Sequence, residues 1–162
     1  MARDFRNTST CVLLFKALVR SHLDYATVIW NRNRAYTTEK LERIQNSFQR
    51  WICFKFPRLT HLDSVTLRQS LDLPSISSRL LANDLLFFYG CLHGRDGQPA
   101  SVSLRLPRAE LRNYNNFVAA RKSEVTPELR CTATAIRFQE RIDFFRHDYI
   151  GFKRRIKELC WD

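Results

Sequence analysis

Arginine is the residue type whose abundance and spacing give this chain its chemistry. The 162 residues hold 27 lysines and arginines against 16 acids, a net charge of +11 with a pI near 10.0. Of those cations, 21 are arginine. A guanidinium fork pairs bidentately with phosphate and stacks on bases, so an anionic polymer is the natural partner. The alternative is a basic protein whose charges are simply solvated. Residues 1–55 carry +6, residues 56–100 balance to zero and residues 101–162 carry +5. Candidate phosphate contacts in the first block are Arg32, Arg34, Lys40, Arg43, Arg50 and Lys55. In the last block they are Arg112, Arg121, Lys122, Lys153, Arg154 and Arg155. Across residues 107–127, Arg108, Arg112, Arg121 and Lys122 are interleaved with Tyr114 and Phe117. That mixture suits single-stranded nucleic acid, and equally an irregular arm pinned to a helical core by its two rings.

Catalytic constellations are missing from the sequence. Two-metal chemistry needs carboxylates that converge, and no two acidic residues are adjacent. No phosphate-cradling glycine loop or hydrolase signature occurs, and His22, His61, His93 and His147 stand apart. His22-Leu23-Asp24 fits a helix end better than a catalytic pair. Cys11, Cys53, Cys91, Cys131 and Cys160 lack the close pairing of zinc modules, and Cys91-Leu92-His93 alone closes no tetrahedral site. The thiols read as small apolar residues in a reducing compartment. No catalytic residue, metal ligand or cofactor is therefore assigned. No apolar run reaches the ~20 residues of a membrane span, and no signal peptide is evident. An intracellular protein is expected, with nucleus and cytoplasm both open.

The elements that position these cations read as helices. Hydrophobic residues make up 44%, and twelve Phe, five Tyr and three Trp stand against four Gly, which favours packed helices over a turn-rich sandwich. Residues 11–20 predict a helix capped by Ser9 or Thr10, with Leu14, Ala17 and Leu18 as its apolar stripe, broadened by Val12 and Leu13. A corner from Tyr25 to Trp30 follows, and Asn31-Arg32-Asn33-Arg34 breaks the pattern. A second helix restarts after Thr37 or Thr38, burying Leu41, Ile44, Phe48 and Trp51 or Ile52. Phe56-Pro57-Arg58 ends it. Asp63 or Ser64 caps a short helix with Val65, Leu67 and Leu71. Pro74 stops that helix, and Ser75 opens a long apolar one through Leu92 with Gly94 as its C-terminal cap. Arg79 on it could satisfy loop carbonyls or Asp84, or reach a phosphate. Residues 94–99 form a loop, and 101–106 alternate as a short extended segment. The last helical pattern, residues 132–159, breaks near His147-Asp148. Its apolar side is Ile136, Phe138, Ile142, Phe145, Tyr149, Phe152, Ile156 and Leu159.

The expected fold is all-α, an irregular helical bundle with a basic, loop-rich C-terminal arm and one short β segment at most. The expected domains are a helical domain over 1–94, a basic arm over 95–133, and a C-terminal helix over 134–162 packing on the bundle.

Several blocks resemble a known family. Arg3-Asp4-Phe5, then Leu18-Val19-Arg20-Ser21-His22-Leu23-Asp24-Tyr25-Ala26-Thr27-Val28-Ile29-Trp30-Asn31, look like the region after the palm of non-LTR retrotransposon reverse transcriptases. Leu41-Glu42-Arg43-Ile44-Gln45-Asn46-Ser47-Phe48-Gln49-Arg50 is similar to the following helix. Leu71-Asp72-Leu73-Pro74-Ser75-Ile76 with Arg79, Asp84-Leu85 and Leu92-His93-Gly94 resembles the next block. Phe144-Phe145 and Phe152-Lys153-Arg154-Arg155-Ile156 are a looser match to the C-terminal end. Many members carry Pro where this chain has Ser21, which implies a bend there.

The resemblance implies the thumb and post-thumb region of an RNA-directed DNA polymerase, inactive without its palm. Its partners would be RNA or an RNA/DNA duplex and that palm domain, where the catalytic Mg would sit. It also implies that the face of Leu13, Leu14, Phe15 and Leu18 has lost a packing partner and stays partly exposed, open to self-association. The competing reading is a helical protein-interaction module or a retrotransposon remnant with no role.

Overall fold

Asn7, rather than Ser9 or Thr10, starts the first helix: its Oδ1 accepts from Ser9 N at 3.0 Å. A computed structural model of the chain describes residues 6–30, 35–94, 104–105, 118–119, 127–146 and 148–161. The helices are α1 (Thr8–Leu14), α2 (Ser21–Asp24), α3 (Thr27–Trp30), α4 (Ala35–Lys55), α5 (Ser64–Ser70), α6 (Ile76–Leu92), α7 (Pro127–Phe138) and α8 (Tyr149–Trp161). The fold is all-α. Leu104–Arg105 (β1) and Val118–Ala119 (β2) form an antiparallel ladder, Leu104 opposite Ala119 and Arg105 opposite Val118. Two residue pairs are far short of an independent sheet. The Asn31–Arg34 break, the 94–99 loop beyond Gly94 and nearly all of the basic arm lie outside the described residues. The residues form two units, one within Met1–Thr27 and Asn33–Ser78, the other within Val28–Arg32 and Arg79–Asp162. That division falls inside α6, away from the boundary expected near residue 94.

In the first unit, α1 passes into a π-helical stretch, Phe15–Arg20, and on into α2 with helical geometry kept at Ser21. Serine keeps the backbone N–H that proline lacks and sits at φ −57°, ψ −40°, so the helix runs through. The turn comes four residues later, where Tyr25 extends (ψ 127°) and Ala26 takes φ 50°. The buried stripe of this helix is Cys11, Val12 and Phe15 with Val19 packed beside them. It is not the Leu14-Ala17-Leu18 stripe: Leu13 and Leu18 are 66% and 64% exposed, and Phe15 is buried. Nearly every position here is apolar, so periodicity could not choose the face. The Phe15 ring chose it by stacking on Phe48 at 3.9 Å and 9°.

α4 begins at Ala35, ahead of the expected start, and ends at Lys55 because Phe56 leaves helical geometry before Pro57. Its buried face holds Ile52, Gln45 and Gln49, whereas Ile44 is 43% exposed. Gln45 is buried because it is used. Its Nε2 donates to the Pro74 carbonyl at 2.9 Å and lies 3.4 Å from that of Leu73. Glu42 Oε2 accepts from Ile76 N at 2.8 Å, and its Oε1 pairs with Arg68 at 3.2 Å. The polar side chains of α4 thus hold the 73–76 corner between α5, which ends at Ser70 ahead of Pro74, and α6, which Ser75 opens. Asp63 caps α5, its Oδ2 3.4 Å from Val65 N. α5 closes with Leu73 N donating to the Arg68 carbonyl at 2.9 Å and Asp72 at φ 50°. Lys16 Nζ sits 2.8 Å from Asp72 Oδ2. Cys11, Val12, Phe15, Ile52, Leu67, Leu71 and Leu73 form the core of this unit.

The second unit is built on α6, apolar on most sides, with Leu85, Phe88 and Tyr89 buried. Phe88 meets Phe144 edge-on at 5.3 Å, and Tyr89 stacks on Phe152 at 4.2 Å. The break before α8 is longer than expected, since α7 ends at Phe138. Asp143 Oδ1 accepts from Phe145 N and Arg146 N, an Asx turn that shifts the register of the helical pattern. Phe144 is therefore buried and Phe145, expected on the apolar side, is 51% exposed. Gly94 closes α6 at φ 61°, as its position after the last apolar residue implied. All five cysteines are free thiols, with Cys11, Cys131 and Cys160 buried.

A charged pair crosses this core. Arg130 Nε and Nη2 donate to the two oxygens of Asp84 at 3.1 and 2.9 Å, and Nη2 also reaches the Val28 carbonyl at 2.6 Å. The side chains are 5% and 2% exposed. Burial works against the guanidinium charge, and the hydrogen bonds and charge of Asp84 outweigh it, holding Arg130 above its ordinary value. Burial, then the neighbouring carboxylate, pushes the Cys131 thiol up. Burial alone does the same to Cys160.

Candidate nucleic-acid interface

The longest helix presents the most ordered set of cations. α4 has no glycine or proline in its 21 residues, and Gln45, Gln49 and Ile52 fix which side faces inward. Opposite them, Tyr36, Lys40, Arg43, Ser47, Arg50 and Phe54 recur at alternating four- and three-residue steps, which brings them onto one helical face. All six are exposed. At 1.5 Å per residue the row is about 27 Å long, with an aromatic ring at each end. Tyr36 is 66% and Phe54 88% exposed.

Local contacts order this row without neutralising it. Lys40 Nζ lies 4.3 Å from the Tyr36 ring centroid, and Arg50 Nη2 is 3.3 Å from Ser47 Oγ. Lys40, Arg43 and Arg50 have no carboxylate partner among the described residues. Glu39 is exposed one turn before Arg43. Lys55 stands apart from the row. It is half-buried, its Nζ 5.3 Å from the Trp51 ring and 5.9 Å from the Phe56 ring.

On α8, Lys153, Arg154 and Arg155 are all exposed. Three consecutive helical residues fan around the axis rather than share a face. Arg155 is also tied to Glu158 at 3.2 Å. This cluster offers a weaker cationic surface than the row on α4. Arg32, Arg34, Arg112, Arg121 and Lys122 lie outside the described residues.

Several other arginines are occupied inside the fold. Arg68 pairs with Glu42 and Arg130 with Asp84. Arg20 Nε lies 3.9 Å from Asp24 and Nη1 3.3 Å from the Asp72 carbonyl. Burial draws Arg20 below its ordinary value while the charge of Asp72 opposes the shift. Arg79 is 5% exposed, which withdraws it from any surface phosphate, and Asp84 is held by Arg130.

The two rings that end the α4 row were missed in the sequence. Their spacing from the cations was available there, but the side of α4 that packs was not. No group of three His, Cys, Asp or Glu side chains able to hold a metal occurs among the described residues, and no described helix is long and apolar enough to cross a membrane. No protein-family model, curated protein or solved structure matches the chain.

Proposed function

We propose that this chain is a nucleic-acid-binding helical module that grips its ligand through the outer face of α4. The observation that carries the proposal is the row of Lys40, Arg43 and Arg50, exposed on one face and with no ion-pair partner among the described residues. The net charge of +11 supports it, since the surrounding field draws a polyanion toward any such face. The order of the sequence blocks supports a thumb and post-thumb role in a non-LTR retrotransposon reverse transcriptase. In that role the chain holds RNA or an RNA/DNA duplex while a separate palm, with its Mg ions, performs polymerisation.

Titrating a labelled oligonucleotide at several salt concentrations tests the binding. Three phosphate contacts predict a slope of log affinity on log salt of roughly −2 for a single strand and roughly −3 for a duplex. Replacing Arg43 and Arg50 with Gln removes most of that slope. Absence of binding to RNA or DNA at low salt, or a slope unchanged in the double variant, refutes the reading.

Leu13 and Leu18 favour a second reading, a helical protein-interaction surface, because both large apolar side chains stand in solvent on the first helix. Sedimentation of the wild type and of a Leu13→Gln, Leu18→Gln variant distinguishes it: association that the variant abolishes supports this reading.

A further inference from the structure

We infer that the α4 row selects single-stranded nucleic acid over duplex, with Tyr36 and Phe54 stacking on unpaired bases at its two ends. The inference rests on the nucleic-acid reading above and goes beyond it, because charge alone does not tell a single strand from a duplex. Lys40, Arg43 and Arg50 could follow the phosphates of either form. The rings could not serve both. Inside a duplex the faces of the bases are covered by their neighbours, so an aromatic side chain meets only sugar and phosphate unless it wedges the stack apart. On a single strand every base has a free face, and stacking on a protein ring adds affinity with little regard to sequence.

The geometry of the row fits that use. Phe54 is 88% exposed, and among the described residues no aromatic partner shields it. Tyr36 has Lys40 Nζ 4.3 Å from its ring centroid. That ammonium can reach the phosphate beside a base stacked on the other face of the ring. Between the rings lie Lys40, Arg43, Ser47 and Arg50, short of further aromatics and rich in donors. The row therefore reads, from end to end, as ring, cations, ring. Its length of about 27 Å matches roughly eight nucleotides at the 3.4 Å spacing of stacked bases, and fewer when the strand is extended.

The test measures fluorescence anisotropy with a single-stranded oligonucleotide of roughly twelve nucleotides and with a blunt duplex of the same length. Wild-type protein is compared with Tyr36→Gln and Phe54→Gln, both surface changes to a residue that helices tolerate. The expected result is tighter binding to the single strand. Each glutamine variant weakens that binding at least about fivefold and leaves duplex binding within about twofold. Arg43→Gln weakens both forms, separating charge from stacking.

Duplex binding as tight as single-strand binding overturns the inference and leaves the nucleic-acid reading standing. So does loss of affinity in the glutamine variants that is equal for the two forms or absent from both. Failure to bind either form at low salt refutes the nucleic-acid reading itself, and the inference with it. Far-UV circular dichroism of each variant confirms that α4 is retained, so weakened binding is assigned to the missing ring.

Discussion

Replacing Asp84 with Ala isolates what the buried pair contributes to this fold. Arg130 holds both oxygens of Asp84 within 3.1 Å, and the side chains are 5% and 2% exposed. Removing the carboxylate takes away the compensating charge from a buried guanidinium that cannot shed its proton at any accessible pH. The Val28 carbonyl, 2.6 Å from Nη2, satisfies one donor but supplies no charge. Breaking a buried pair from one side costs about 3–5 kcal/mol, which for a chain of 162 residues lowers the thermal midpoint by roughly 6–20 °C. The double variant Asp84→Leu, Arg130→Met behaves differently. It removes both charges and fills the space with apolar volume, so it loses little beyond about 1 kcal/mol for the orphaned Val28 carbonyl. Urea unfolding of the wild type, Asp84→Leu, Arg130→Met and the double variant, followed by far-UV circular dichroism, gives all the free energies of the double-mutant cycle. A single-variant loss under about 1 kcal/mol, or a double variant as unstable as the two singles combined, refutes the argument.

Gln45→Ala should destabilise the first unit by about 2–4 kcal/mol in the same urea assay, because it opens a cavity and frees the Pro74 carbonyl from its 2.9 Å donor. Gln45→Leu, which fills the space without the hydrogen bonds, should lose less. Cys131 and Cys160 should react with an alkylating reagent far more slowly than the half-buried Cys53 and Cys91, since burial hides both thiols and raises them above 9.0, the ordinary value. Mass-mapped labelling of the native protein measures the order, and equal rates for all five would contradict it. The same shift bears on alkaline stability. Below the ordinary value folded and unfolded chains both hold the Cys131 proton, whereas above it only the folded chain does, so stability falls as pH rises past 9.0. Cys131→Ala should flatten that alkaline limb of the thermal midpoint. Asp63→Ala should cost about 1 kcal/mol by removing the α5 cap, read from the same melts.

Element boundaries marked by local chemistry could be read along the chain. Pro57 ends α4, Asp63 caps α5, Ser75 opens α6 and Gly94 closes it, because each acts through its own backbone or a neighbour one turn away, whereas α5 ends at Ser70, with Asp72 at φ 50°, before Pro74 is reached. The faces were harder. In residues 11–20 almost every side chain is apolar, so the pattern held no preference until Phe15 met Phe48. On α4 the inward side includes Gln45 and Gln49, two polar residues that no hydrophobic pattern selects. Their burial follows from the corner at Leu73 and Pro74, whose carbonyl Gln45 satisfies from 29 positions away. Rotating that face inward turns Ile44 toward solvent and places Tyr36 and Phe54 in line with Lys40, Arg43 and Arg50.

What the sequence by itself determined is the helical class, the excess of arginine and the stops between helices, all properties of composition or of contacts within a turn. Which arginines are spent on carboxylates, and which stay available to a ligand, was decided by tertiary structure. Arg68 finds Glu42 and Arg130 finds Asp84 across 26 and 46 positions. Ion pairs between residues so far apart form only after the chain has folded, so charge counted along the sequence could not say which cations remain outside.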